Sequence, residues 1–329
     1  MKIAIVLEGL GGTCPFYRSV APFNRLRKSM GLEISIIAAD AQNPNWLWVD
    51  LLDADVVYFE RPTSSSAYDL FKETLAAGVP IWIDFDDNLM NIPEWSSGHM
   101  GNSHRTEIIQ MCSENADLVT VSTVSLQMSF EKLDIKTQVI PNALDDYACK
   151  EGFQFSNKQT IFWRGSNTHV EDQKILLQVY EKVHEHRPDW LWIIMGGDES
   201  LLKNKKGMLV LDYIPIMSYF NIMLNIDPAI LFFPLREHNF NRCKSNIAWL
   251  EATYFGAVTI APNWSEWKRD GVLRYDNENA IHEQIINAMD DKEFRREQYE
   301  KSCEYIKDKL MLSKINLIRA ELLKGLVNV

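Results

Sequence analysis

Short apolar runs alternate with amphipathic stretches along the whole chain. KIAIVLEG reads as a strand ending in glycine, the stretch from Val20 to Met30 as a helix, and LEISIIAAD as a second strand. ADVVYFERP, a helix over SAYDLFKETLAAG, VPIWIDFDD, DLVTVST, a helix around VSLQMSFEKLD, and TQVIPNALDD continue the alternation, giving about five strands. The strands are nearly all apolar, as parallel strands are when helices cover both faces of their sheet.

A second series of the same kind begins at QTIFWRGS. It runs through the helix EDQKILLQVYEKVHEH to WLWIIMGG, GMLVLDYI, AILFFPL and AVTIAP, and from about Lys292 to Val329 the chain is helical and charged on one face. The stretch from Asn142 to Lys158 has no sustained period and marks the junction. The pattern predicts an α/β fold of two tandem Rossmann-like doubly wound domains facing a cleft. Their bounds are 1–145 and 155–305, and a terminal helix over 306–329 packs back on the first domain.

Composition adds limits. The 329 residues suit two ordinary domains, and 46% hydrophobic with 24% charged residues is a soluble globular balance without a membrane span. Five cysteines without a C-x-x-C pair argue against a zinc site or disulfide framework and for a reducing, cytoplasmic setting. A net charge of -11 opposes nonspecific binding to nucleic acid.

Candidate chemistry gathers where strands end. In NFNRCKSNIAWLEATYFGAVTIAP a helix starting near Cys243 presents its free N–H groups with Asn241, Lys244, Ser245 and Asn246, an arrangement suited to a diphosphate. Two turns on, Glu251 lies on the same face, about 10 Å along the axis, where it can take ribose hydroxyls. Gly11 and Gly12 follow the first strand and let the backbone approach a ligand. A dinucleotide fingerprint would need a further glycine at Cys14, which disfavours a nicotinamide-dependent oxidoreductase.

Asp84, Asp86 and Asp87 cluster at the end of another strand, with Asn88 after them, and would open into the cleft. Asp86 or Asp87 would serve as a base, while Asn88 and a covering loop with His99 and His104 would hold the acceptor. Asp84-Phe85-Asp86 also matches the short D-x-D of metal-dependent transferases, but a second complete α/β domain weighs against that reading, and no metal is assigned.

LEATYFG followed by AVTIAP resembles the donor-binding domain of GT-B glycosyltransferases, in particular those related to glycosyltransferase family 4. VIPNALDD is similar to that family's V-I-P-N-G-V-D, and FWRGSNTH to its G-R-x-x-x-x-K. The resemblance covers most of the chain, weakly in the N-terminal half. It implies that Glu251 binds the donor ribose and that Arg164 and Lys244 act on the diphosphate, with Gly165, Ser166 and His169 beside them. The Y-R-x-x-x-P from Tyr17 to Pro22, similar to that of related phage and bacterial glycosyltransferases, implies that Arg18 holds the acceptor. Two departures stand out: Cys243 occupies the place of the family's first Glu, and His169 that of its lysine.

The implied activity is hexosyl or pentosyl transfer from a nucleotide-diphosphate sugar such as a UDP-sugar to an acceptor hydroxyl, with retention and with no cofactor. A faint similarity to phage DNA α-glucosyltransferases adds a hydroxymethylated base in DNA to glycan, lipid-linked glycan and protein as acceptors. The remaining alternative is a nonenzymatic nucleotide-sugar-binding protein.

Overall fold

The computed structural model describes residues 1–9, 12–39, 51–146, 149, 151–202 and 205–327. Among them are two six-stranded sheets, parallel throughout. The first holds β1 (Lys2–Leu7), β2 (Glu33–Ala38), β3 (Val56–Glu60), β4 (Ile81–Phe85), β5 (Leu118–Val121) and β6 (Gln138–Val139) in the order β2-β1-β3-β4-β5-β6. The second holds β7 (Thr160–Gly165), β8 (Leu191–Gly196), β9 (Met208–Leu211), β10 (Ile230–Phe232), β11 (Val258–Pro262) and β12 (Val272–Tyr275) in the order β12-β11-β10-β7-β8-β9. Every residue of β3, β4 and β11 is buried, the reason these strands read as unbroken apolar runs. The expected pair of doubly wound domains is therefore present, with one strand, β12, that the sequence reading passed over.

In a doubly wound sheet the crevice for a ligand opens at the carboxyl ends of the strands where the winding reverses. Here those points lie between β1 and β3 in the first domain and between β7 and β10 in the second. The two crevices face each other.

The helix after β1 begins earlier than the predicted Val20. Helical turns run from Thr13, and Phe16–Val20 is π-helical before the regular helix Ala21–Met30. Pro22 explains the irregular turn: it has no N–H to offer the Arg18 carbonyl one turn back, and the Tyr58 hydroxyl donates to that carbonyl instead, at 3.2 Å. Tyr17 and Arg18 both sit on this turn and are both buried.

Helices Glu278–Asp290 and Lys292–Lys309 complete the second domain. The chain then returns to the first. Leu144 bridges Met311 in parallel, with the Leu144 N–H donating to Leu310 at 3.0 Å and the Leu312 N–H donating to Leu144 at 2.7 Å. Helix Leu312–Val327 lies against Ala21–Met30 and β3, where Asn316 donates to the Pro22 carbonyl at 2.9 Å. Among the described residues no helix is long and apolar enough to cross a membrane.

Candidate active site

A cavity of about 410 Å³ lies between the domains. Thr13, Cys14, Tyr17, Asp86 and Asp87 border it from the first domain, and Arg164, Ser166, His169, Lys244, Ser245 and Glu251 from the second. Glu251 is fully buried, and each of its oxygens is engaged. Oε1 accepts from the Tyr17 hydroxyl at 2.6 Å; Oε2 accepts from Arg164 Nε at 2.6 Å and from the Tyr219 hydroxyl at 3.1 Å. Burial and the Glu251 charge push both tyrosine hydroxyls far above their ordinary range, so they stay donors. Burial works against the charge on Arg164, but Glu251 and the two tyrosines outweigh it and keep the guanidinium protonated.

Glu251 owes its position to the end of its helix. Gly256 has φ +98, and a Cβ there would stand 2.1 Å from the Gln154 carbonyl oxygen, so glycine alone lets the chain leave helix Ile247–Tyr254 beneath the linker.

The start of that helix differs from expectation. In place of one helix from Cys243 there is a short helix Asn239–Arg242, a link, and then Ile247–Tyr254. Lys244 and Ser245 belong to the link, so Lys244 and Glu251 do not share a helical face, although both border the cavity. The link is held by contacts a sequence does not display: the Cys243 carbonyl accepts from Thr123 Oγ1 at 2.9 Å, Asn142 donates to Ser245 Oγ at 2.8 Å, and Asn246 donates to the Glu266 carbonyl at 3.3 Å. The Cys243 thiol is buried among Asn88, Ser125 and Ser129 of the first domain, directed away from the cavity.

The acidic cluster divides. Asp84 does not open into the cleft: it is buried and receives two hydrogen bonds from Arg18, at 2.8 and 2.7 Å, and one from Thr120 at 2.6 Å. Arg18 also donates to the Ile140 carbonyl at 2.7 Å and to Asn142 Oδ1 at 3.0 Å, which commits its guanidinium to the fold rather than to an acceptor. Asp86 and Asp87 do reach the cavity. Burial opposes the charge on Asp86, but Arg61 at 3.5 Å, the Cys14 thiol, Arg18 and Lys244 hold its carboxyl below the usual range. Burial pushes Asp87 upward, offset only in part by Lys244 at 3.6 Å.

With this geometry in view the fold can be compared with known ones. HepE of Anabaena, solved with UDP-glucose, matches over 99% of this chain and 100% of its own, at 14% identity and a TM-score of 0.71. The fold is GT-B. An α,α-trehalose-phosphate synthase (UDP-forming) from Burkholderia vietnamiensis shares it over 98% of this chain and 99% of its own, at 10% identity and a TM-score of 0.67. TarM of S. aureus, solved with UDP, shares it over 83% of this chain at 12% identity and a TM-score of 0.62, and the match spans 55% of TarM's length. No family model and no curated protein matches the sequence.

Within the GT-B cleft, His169 sits between the rings of Trp163 and Phe233 and makes a 2.6 Å contact from Nδ1 to Asp172 Oδ2. Burial and the nearby Lys244 charge lower its proton affinity. Gly165 and Ser166 line the cavity beside it, and Ser166 contacts Thr168 Oγ1 at 2.6 Å. Several named residues lie elsewhere. Asn241 is buried behind the wall, on Asp172 and the Arg236 carbonyl. Asn88 contacts Cys243, and His99 contacts the Ile92 carbonyl at 2.8 Å. His104 is exposed on helix Asn102–Asn115 and meets Ser65. Gly12 precedes the first helical turn away from the cavity lining, and Gly11 lies outside the described residues.

Four residues that the sequence reading passed over shape the site: Tyr17, Tyr219, Asp172 and Glu60. Glu60 and Arg61 end β3 as Asp84 and Asp86 end β4, so the same strand-end rule would have found them. Arg61 has φ +50, a left-handed backbone that turns it toward Asp86. Both oxygens of Glu60 are buried, Oε1 lies 2.8 Å from Arg61 Nε, and burial raises the carboxyl from 4.5 to about 7 despite that cation. The folded protein therefore holds this proton more tightly than the unfolded chain. That contribution is full below pH 4.5 and is lost as pH rises through 7, a change of up to about 3 kcal/mol. Glu60→Gln is expected to be more stable than wild type at pH 8 and nearly equal to it at pH 5. Urea unfolding at the two pH values checks this, and an equal difference at both would refute it.

Proposed function

We propose that the protein is a glycosyltransferase that moves a sugar from a nucleotide-diphosphate sugar, with UDP as the nucleotide, to an acceptor hydroxyl. The observation that carries this reading is the convergence of Arg164, Lys244 and the opening turn of helix Ile247–Tyr254 on one cavity beside Glu251. Breaking the bond from the anomeric carbon to the diphosphate leaves negative charge on phosphate. Two cations and free helix N–H groups stabilise that charge, and each such contact is worth on the order of 10²-fold in rate. Arg164 Nη2 lies 2.5 Å from Glu251 Oε2, so the ion pair fixes the guanidinium on the cavity wall. Glu251 Oε1, which accepts only from Tyr17, keeps an acceptor position for a ribose hydroxyl. The complexes of HepE with UDP-glucose and of TarM with UDP support the choice of nucleotide. The reading assigns diphosphate charge to protein groups and calls for no cofactor.

Asp87 lies 3.6 Å from Lys244, and with Lys244 on the diphosphate that carboxylate is on the leaving-group side, which supports retention, with the departing phosphate receiving the acceptor proton. For the acceptor we favour a glycan hydroxyl over a hydroxymethylated base in DNA. Of the four arginines suited to a phosphate backbone, Arg18, Arg25, Arg27 and Arg105, three are used internally, Arg18 on Asp84, Arg25 on Asp145 and Arg105 on the Gly98 carbonyl, and only Arg27 is exposed. The anomeric coupling of the first-formed product in proton NMR tests retention. Label transfer to glycan or to hydroxymethylated DNA tests the acceptor.

Binding of UDP-sugars is expected to raise the melting temperature by several degrees. Failure of every nucleotide and nucleotide sugar to do so would defeat the reading. Lys244→Ala is expected to lower turnover on the order of 10²-fold; weaker binding with undiminished hydrolysis or transfer would contradict its assigned role. A protein that binds donor and never turns it over is a binding protein.

A further inference from the structure

We infer that Asp172 makes His169 a switchable ligand of the donor diphosphate, whose imidazole takes a proton from solvent as the anion enters and returns it when the anion leaves. This rests on the donor reading above. Asp172 is only 3% exposed, and both its oxygens are engaged. Oδ2 faces His169 Nδ1 at 2.6 Å, and Oδ1 accepts from the Arg236 N–H at 2.5 Å and from Asn241 at 3.2 Å. A carboxylate so placed keeps the proton on Nδ1, which leaves Nε2 as the nitrogen that titrates.

The groups that set its charge come from three elements. Asp172 lies on its own helix, Lys244 on the link before helix Ile247–Tyr254, and Asp87 beyond β4; the rings of Trp163 and Phe233 flank it without charge. In the free protein, burial and Lys244 disfavour a second cation. A diphosphate in the cavity reverses that balance, because an opposite charge within about 4–6 Å raises proton affinity roughly 10- to 1,000-fold. A lysine at this position would be charged throughout. The histidine instead ties donor affinity to pH, with binding weakening as pH rises above neutrality.

The test is calorimetric titration of UDP-glucose and GDP-mannose, whose diphosphate diesters do not themselves titrate near neutrality, in two buffers of different ionisation heat at about pH 7.5. Wild type is expected to take up about 0.5 to 1 proton per ligand bound. His169→Asn is expected to bind about 3- to 10-fold more weakly with no uptake, and His169→Lys to bind without uptake and with a flat pH profile. Asp172→Asn, with unfolding monitored beside it, should lower uptake even where the fold is kept. Binding without proton uptake in wild type, or uptake that persists in His169→Asn, overturns the inference while leaving the donor reading intact. Absence of binding by both ligands overturns the donor reading and this inference with it.

Discussion

Glu251→Gln is expected to weaken nucleotide-sugar binding about 10- to 100-fold, since hydrogen bonds to a charged group are worth about 1.5–3 kcal/mol each. The carboxylate accepts on both oxygens, whereas an amide accepts on one and turns its NH₂ either toward Tyr17 or toward Arg164 and Tyr219, which are themselves donors. Glu251→Ala goes further. It leaves the Arg164 guanidinium and the Tyr17 and Tyr219 hydroxyls facing a void, and loss of one partner from a buried ion pair costs about 3–5 kcal/mol. The glutamine variant is thus the one that reads binding, by calorimetry, and the alanine variant the one that reads stability, by urea unfolding. Wild-type affinity for UDP-glucose in the folded glutamine variant would show that Glu251 does not hold the nucleotide.

The second large effect belongs to Arg18, a residue that the family resemblance assigns to the acceptor. Arg18→Ala is expected to destabilise the protein by about 3–5 kcal/mol, because Asp84 would remain buried with its charge uncompensated. Replacing both partners, as Arg18→Met with Asp84→Leu, should recover much of that loss, since well-packed apolar groups often substitute for a buried pair at little cost. Urea unfolding of the two single variants and the double one closes the cycle. A coupling below about 0.5 kcal/mol would mean that the pair is not the tie between β4 and the helix after β1.

How far the sequence carries the structure is visible in these two residues. Glu251 stands out as a lone carboxylate in an apolar helix, and a buried charge in such a setting must be partnered. Its cation Arg164 is at a strand end and legible. Tyr17 and Tyr219 are not, because nothing local brings residues so distant in sequence to one oxygen pair. Asp84 was misplaced for a simpler reason. Alternation along β4 puts Asp84 on the same face as Trp82, which packs with Phe23 and Tyr58, while Asp86 comes after the strand and is free to enter the cleft. The break between Arg242 and Ile247 also escaped the periodic pattern, since contacts with the other domain hold the link open. β12 is only four residues long and carries an exposed arginine, too little to register as a buried strand.

The return of helix Leu312–Val327 to the first domain has a consequence for how the molecule is made. Its Leu312, Ile315 and Leu323 join an apolar cluster with Phe23, Tyr58 and Trp82, side chains that leave the ribosome long before it does. Domains tend to fold in order of emergence. Here the first sheet has helix Ala21–Met30 on that face but waits for the last helix beside it while the second domain is translated, so the two halves reach their final packing together and the nascent chain depends on protection of the open part in the interval.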